Sequence, residues 1–151
     1  MTPDAPSAPS SAGRPGRARR REAEISLRLP RRPESASQAR HGLGDLVGRL
    51  DRELLDVVRL LVTELVTNSV RHAAAGPLVE LDIFLTTAHL RIEVIDEGGG
   101  FTPEARTPGQ SPEGGWGLHL VDRLADRWGV QGDGRTLVWL EIDLPKRVSA
   151  A

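Results

Sequence analysis

The sequence predicts an α/β fold, a two-layer sandwich in which helices cover one face of a mixed, mostly antiparallel sheet. Three observations lead there. Apolar residues alternate at Val79, Leu81, Ile83 and Leu85 and again at Leu90, Ile92 and Val94, and the short link between the two runs makes them an antiparallel pair. A long amphipathic stretch precedes them, from about residue 51 to residue 72 or 75, closed by Gly76 and Pro77. A shorter helical stretch and further strands follow in the last third of the chain, without internal repeat, so that helices and strands share one core.

Taken in order, residues 1–24 are Pro, Ser, Ala, Gly and Arg with almost no large apolar side chain. They bury too little surface to offset the entropy of ordering, and a disordered tail is expected. Ile25, Leu27 and Leu29 alternate with Ser26 and Arg28 as a half-buried strand that Pro30 ends. A helix from residue 34 or 35 to residue 50 follows, weakened by Gly42, Gly44 and Gly48. After the long helix and the strand pair, a loop rich in Gly, Pro and Glu reaches Gly115. A helix starting at Trp116 or Gly117 then runs to residue 127, and a short strand covers 128–130. A turn at Gly132 and Gly134 leads into the last strand, 136–144, stopped by Pro145. The ordered domain is thus expected over 25–146, with a flexible C-terminus over 147–151.

Composition narrows the function. With 20 Lys and Arg against 21 Asp and Glu, the net charge of −1 gives the chain as a whole no attraction to nucleic acid or to an anionic membrane. The arginines at 14, 17, 19, 20 and 21 read as a solvated tail. The absence of cysteine excludes disulfides, thiolate metal sites and a thiol nucleophile, and it suits a reducing cytoplasm. No apolar run reaches membrane-spanning length.

On the long helix, Leu54, Val57, Val58, Leu61, Val62 and Leu65 form one apolar side, and Asp56, Arg59, Thr63, Thr67 and Arg71 the other. Glu64, Asn68 and His72, spaced four residues apart, fall inside the apolar arc, between Val57, Leu61 and Leu65. Burying an unpartnered carboxylate costs several kcal/mol, so this stripe implies either a paired network at the core edge or a polar pocket between helix and sheet. In a pocket, the amide oxygen of Asn68 is a hard ligand suited to magnesium, and Glu64 is placed to take a proton from water or a hydroxyl. His72 reads as structural.

Two glycine-bearing segments complete the pattern. Asp96 closes a strand and is followed by Glu97, Gly98, Gly99, Gly100 and Phe101. Such a run is also how many strands simply turn, but at the end of a buried strand the carboxylate can accept from an exocyclic amine such as that of adenine. Gly98 and Gly100 let backbone approach a flat ring. Gly114, Gly115, Trp116, Gly117 and Leu118 stand directly before an amphipathic helix, where backbone N–H groups and the positive end of the helix dipole suit phosphates. The chain has neither a P-loop nor a dinucleotide fingerprint within a βαβ unit, and its four histidines lack zinc spacing.

The order ELVTNSVRH at 64–72, DEGGGF at 96–101 and GGWGLHLVDRLADRWGV at 114–130 resembles the histidine-kinase-like ATPases, and among them the anti-sigma-factor serine/threonine kinases of bacterial partner switching. The resemblance implies a Bergerat-type ATP-binding fold over residues 25–144, with ATP and Mg2+ as ligands. It assigns Asn68 to magnesium, Glu64 to base or water-orienting duty, and Asp96 to the adenine amine with Gly100 beside the ring. Gly115, Gly117 and Leu118 would offer backbone to the phosphates, Thr136 would lie by the adenine, and Arg40 would contact a partner. The implied partners are an anti-anti-sigma protein, a sigma factor and a second copy in a homodimer. The segment 102–113 departs from the pattern in being short and in carrying Arg106 but no lysine. The alternative is therefore a nucleotide-binding interaction module that regulates transcription without kinase activity.

Overall fold

A computed structural model describes residues 22–72, 76–97, 116–132 and 134–145. Strand β1 (Ile25–Pro30) leads to helix α1 (Ser35–His41), a 3-10 turn (Gly44–Leu46) and the long helix α2 (Arg52–His72). Strands β2 (Leu78–Leu85) and β3 (His89–Asp96), helix α3 (Trp116–Leu124), and strands β4 (Arg127–Gly132) and β5 (Thr136–Asp143) follow. The five strands lie in the order β1-β2-β3-β5-β4, each pairing antiparallel to its neighbours. This is the α/β sandwich that the sequence predicts.

Alternation along the strands fixes which face is buried. Val79, Leu81 and Ile83 of β2 and Leu90, Ile92 and Val94 of β3 are fully or almost fully buried, and in β5 Val138, Leu140 and Ile142 continue the same layer. Against it lies α2 through Leu55, Val58, Leu61, Val62, Leu65 and Val66. Helix α1 packs on β1 and α2, and α3 on α2 and β4, so the three helices share one side of the sheet. Asp51 opens α2 as its N-cap, its carboxylate accepting from the Leu54 N–H at 2.8 Å. In the β2–β3 hairpin, the Thr86 hydroxyl accepts from the N–H groups of Ala88 and His89, which closes the tight link.

The first helix is shorter than the sequence predicts. It ends at His41, with Gly42 as its C-cap, and an added Cβ at Gly42 would lie 2.5 Å from Cδ1 of Leu27 on β1. Helix end and strand are in contact there, and the chain then turns through Gly44–Leu46 instead of continuing to residue 50. Helix α3 likewise stops at Leu124 rather than 127, and β4 starts at once at Arg127 because it pairs with β5 over six residues. Order on the N-terminal side reaches Glu24, whose N–H donates to the Ile83 carbonyl at 2.8 Å and whose carboxylate pairs with Arg49. The expected disorder of residues 1–21 and flexibility of 147–151 lie outside the described residues.

The sheet face turned away from the helices is a charged layer. Arg91 stacks over the Trp139 ring at 4.4 Å and pairs with Glu93, while Glu141 faces His89, Arg91 and Arg127. Arg127 also pairs with Asp143 and holds its carboxyl below the usual carboxylate range. A carboxyl group lowered in the folded state contributes stability above its ordinary value, and that contribution is lost as pH falls through the lowered one. Asp143→Asn is therefore expected to lower the urea midpoint slightly at neutral pH, with the two curves converging in acid. Both partners are about half exposed, so added salt should shrink the neutral-pH difference.

Candidate functional site

Inward alternation along β3 runs Leu90, Ile92, Val94 and then Asp96, so the last inward position of an otherwise apolar row is a carboxylate. Its register partners are Val79 on β2 and Thr136 on β5. Asp96 is 7% exposed and Thr136 is 4% exposed, which places two polar side chains side by side under the helical layer. Ser69 of α2 reaches them from above, its hydroxyl donating to Oδ2 of Asp96 at 3.1 Å. Among the described residues, no buried side-chain polar atom lacks a hydrogen-bond partner. The cost of burying this carboxylate is thus met by hydrogen bonds from neighbouring elements.

Two further features shape the end of β3. Gly76, which follows α2, has φ of +98° and lies so close to Glu97 that an added Cβ would be 2.9 Å from the Glu97 Cβ. Only glycine fits both the left-handed backbone and that approach, and it brings the segment after α2 against the segment after β3. Arg135, just before β5, lies 4.0 Å from the Glu97 carboxylate across the same end of the sheet.

Glu64 and Asn68 stand on α2 one turn apart and are both half-buried. The arc of α2 that faces the sheet is Leu55, Val58, Leu61, Val62, Leu65, Val66 and Ser69. Glu64 and Asn68 sit at the edge of that arc, and His72, at the C-terminal end of the helix, is exposed. The polar stripe expected inside the apolar arc therefore lies along one border of it. The centre of the buried face is rotated toward Ser69, which takes the inward position that the sequence pattern assigns to Asn68.

Of the other expected site residues, Leu118 is half-buried on α3 and packs against the core. Gly117 belongs to the first turn of α3, whose leading backbone N–H groups have no partner within the helix. Gly98, Gly100, Gly115 and the segment 102–113 lie outside the described residues. Arg40 is exposed on α1, with Nη1 donating to the Thr63 hydroxyl at 3.4 Å, and it stands on a different helix from the one that reaches Asp96. Ser69 is the residue that sequence reasoning missed. Its signal was a hydroxyl four residues after Leu65 and seven after Val62, on the spacing of the buried face.

The arrangement suits a nucleotide in its donor and acceptor chemistry. A buried carboxylate beside a threonine can accept from a flat heterocycle's amine, and an amide and a carboxylate one turn apart on α2 can serve a hydrated cation and a proton. Among the described residues, no group of three or more His, Asp or Glu side chains is placed to hold a metal.

Over residues 29–142 the chain matches the family described as the histidine kinase-like ATPase domain. It is 30% identical over 119 residues to a protein of Listeria monocytogenes serotype 4a named serine-protein kinase RsbW, covering 68% of this chain and 76% of that one. A protein of the same name from Bacillus pumilus is 29% identical over 132 residues, covering 76% of this chain and 82% of the other. Among solved structures, the histidine kinase domain of the Erythrobacter litoralis EL346 blue-light activated histidine kinase aligns with a TM-score of 0.49 and 22% identity, over 80% of this chain and 69% of that one.

Proposed function

Because the chain belongs to the histidine kinase-like ATPase domain family, we propose that it binds magnesium-ATP and phosphorylates a serine or threonine of an anti-anti-sigma protein. In this reading it sequesters a sigma factor once that antagonist is phosphorylated. The observation that carries the reading is the buried carboxylate of Asp96, held by Ser69 and paired in register with Thr136, at the end of the strand that leads to Gly98 and Gly100. The relatives named serine-protein kinase support the same activity.

Asp96 accepts a hydrogen bond from the adenine amine, with Thr136 beside it. The backbone of Gly115, Gly117 and Leu118 receives the phosphates at the start of α3. Asn68 would hold magnesium, which would supply neutralising charge to the phosphate oxygens. Glu64 takes the proton of the attacking hydroxyl as the new oxygen–phosphorus bond forms and the bond between the γ-phosphorus and the bridging oxygen breaks, leaving ADP. Positioning of the two reactants supplies most of the remaining rate. Arg40, exposed on α1, contacts the protein partner in the cytoplasm, and a second copy of the chain is a further partner. No described helix is long and apolar enough to cross a membrane.

Incubation with γ-labelled ATP and the antagonist encoded beside the gene tests this. Label is expected on the antagonist. Nucleotide binding without transfer would sink the kinase and leave the interaction module, which the lack of lysine in segment 102–113 favours.

A further inference from the structure

Helix α1 packs on α2, and its Ala36 and Ala39 are buried. Arg40 follows directly and is exposed, with Nη1 donating to Oγ1 of Thr63 on α2 at 3.4 Å. Thr63 is half-buried, and its own hydroxyl donates to the Arg59 carbonyl one turn back at 2.7 Å. A hydroxyl has one proton and two lone pairs, so with the proton directed down its own helix the oxygen faces Arg40 as an acceptor only. Among the described residues, Thr63 is the one side chain with which Arg40 bonds or pairs.

We propose that Thr63 is a positioning residue that holds Arg40 ready for the protein partner. The proposal rests on the reading of Arg40 as the partner contact. A long exposed arginine samples many rotamers, and immobilising it on binding costs affinity. A fixed acceptor at Nη1 selects one arrangement beforehand and leaves the other donors of the planar fork for the partner. Thr63 also directly precedes Glu64 on α2. An antagonist held by Arg40 is therefore docked against the helix that carries the base, through the residue next to it. Docking and the arrival of the reacting hydroxyl then share one frame.

Titration of the full chain with the antagonist encoded beside its gene, in the presence of magnesium and a non-hydrolysable ATP analogue, tests the proposal in Thr63→Val, Thr63→Ser and Arg40→Ala. Thr63→Val, which keeps the shape but lacks the hydroxyl, should weaken the antagonist about three- to tenfold and leave affinity for the ATP analogue unchanged. Thr63→Ser should restore the wild-type affinity, and Thr63→Ala, a second variant without the acceptor, should match valine. Arg40→Ala should weaken the antagonist at least as much, and adding Thr63→Val in that background should cost nothing more. Wild-type antagonist affinity in Thr63→Val, or the same fold loss from Thr63→Val with and without Arg40, would overturn the positioning role while Arg40 keeps its assignment. An Arg40→Ala chain that binds the antagonist as the wild type does would overturn that assignment as well.

Discussion

Glu64→Gln is expected to lower phosphoryl transfer to the antagonist by about 10²- to 10⁴-fold, the usual contribution of a positioned general base, with ATP affinity nearly unchanged. Glutamine keeps the length and an acceptor oxygen but takes no proton at neutral pH. The fold should tolerate it, since Glu64 is half-buried at the border of α2 and lies outside the row from Leu55 to Ser69 that packs on the sheet. Single-turnover transfer and equilibrium nucleotide titration, run on the same preparation, separate the possibilities. Equal loss of binding and transfer would make Glu64 a ligand-binding group, and undiminished transfer would remove it from the chemistry.

The strands were legible because one face of the sheet is buried and the other is not. Leu81 and Ile83 opposite Val94 and Ile92 leave a period of two that no other structure produces so directly. The first helix was less so. It gives way after His41 to a 3-10 turn over Gly44–Leu46, and the close approach of Gly42 to Leu27 on β1 is a tertiary contact that local pattern does not contain. Of the candidate site, Asp96 could be placed from its position at the end of a strand, Thr136 only through the family resemblance, and their register adjacency follows from the β3–β5 pairing. Ser69 could not, because a serine in a helix is compatible with solvent, with a back-bond to its own helix or with a buried partner. Which of these holds depends on how α2 is rotated over β3.

Asp96→Asn is expected to weaken ATP by about 10- to 100-fold, since a hydrogen bond to a charged group contributes about 1.5–3 kcal/mol. Asparagine keeps the shape and still presents an oxygen to the Ser69 hydroxyl, so the buried hydrogen bond at 3.1 Å has a replacement and the apo fold should survive. Thermal melting makes the loss visible. A nucleotide at 100 times its dissociation constant stabilises the wild-type chain by about 2.7 kcal/mol, and the same concentration against a site weakened 100-fold adds only about 0.4 kcal/mol. The shift on adding magnesium-ATP should therefore fall to about half at tenfold weakening and nearly vanish at 100-fold, while the variant's melting temperature without nucleotide stays close to wild type.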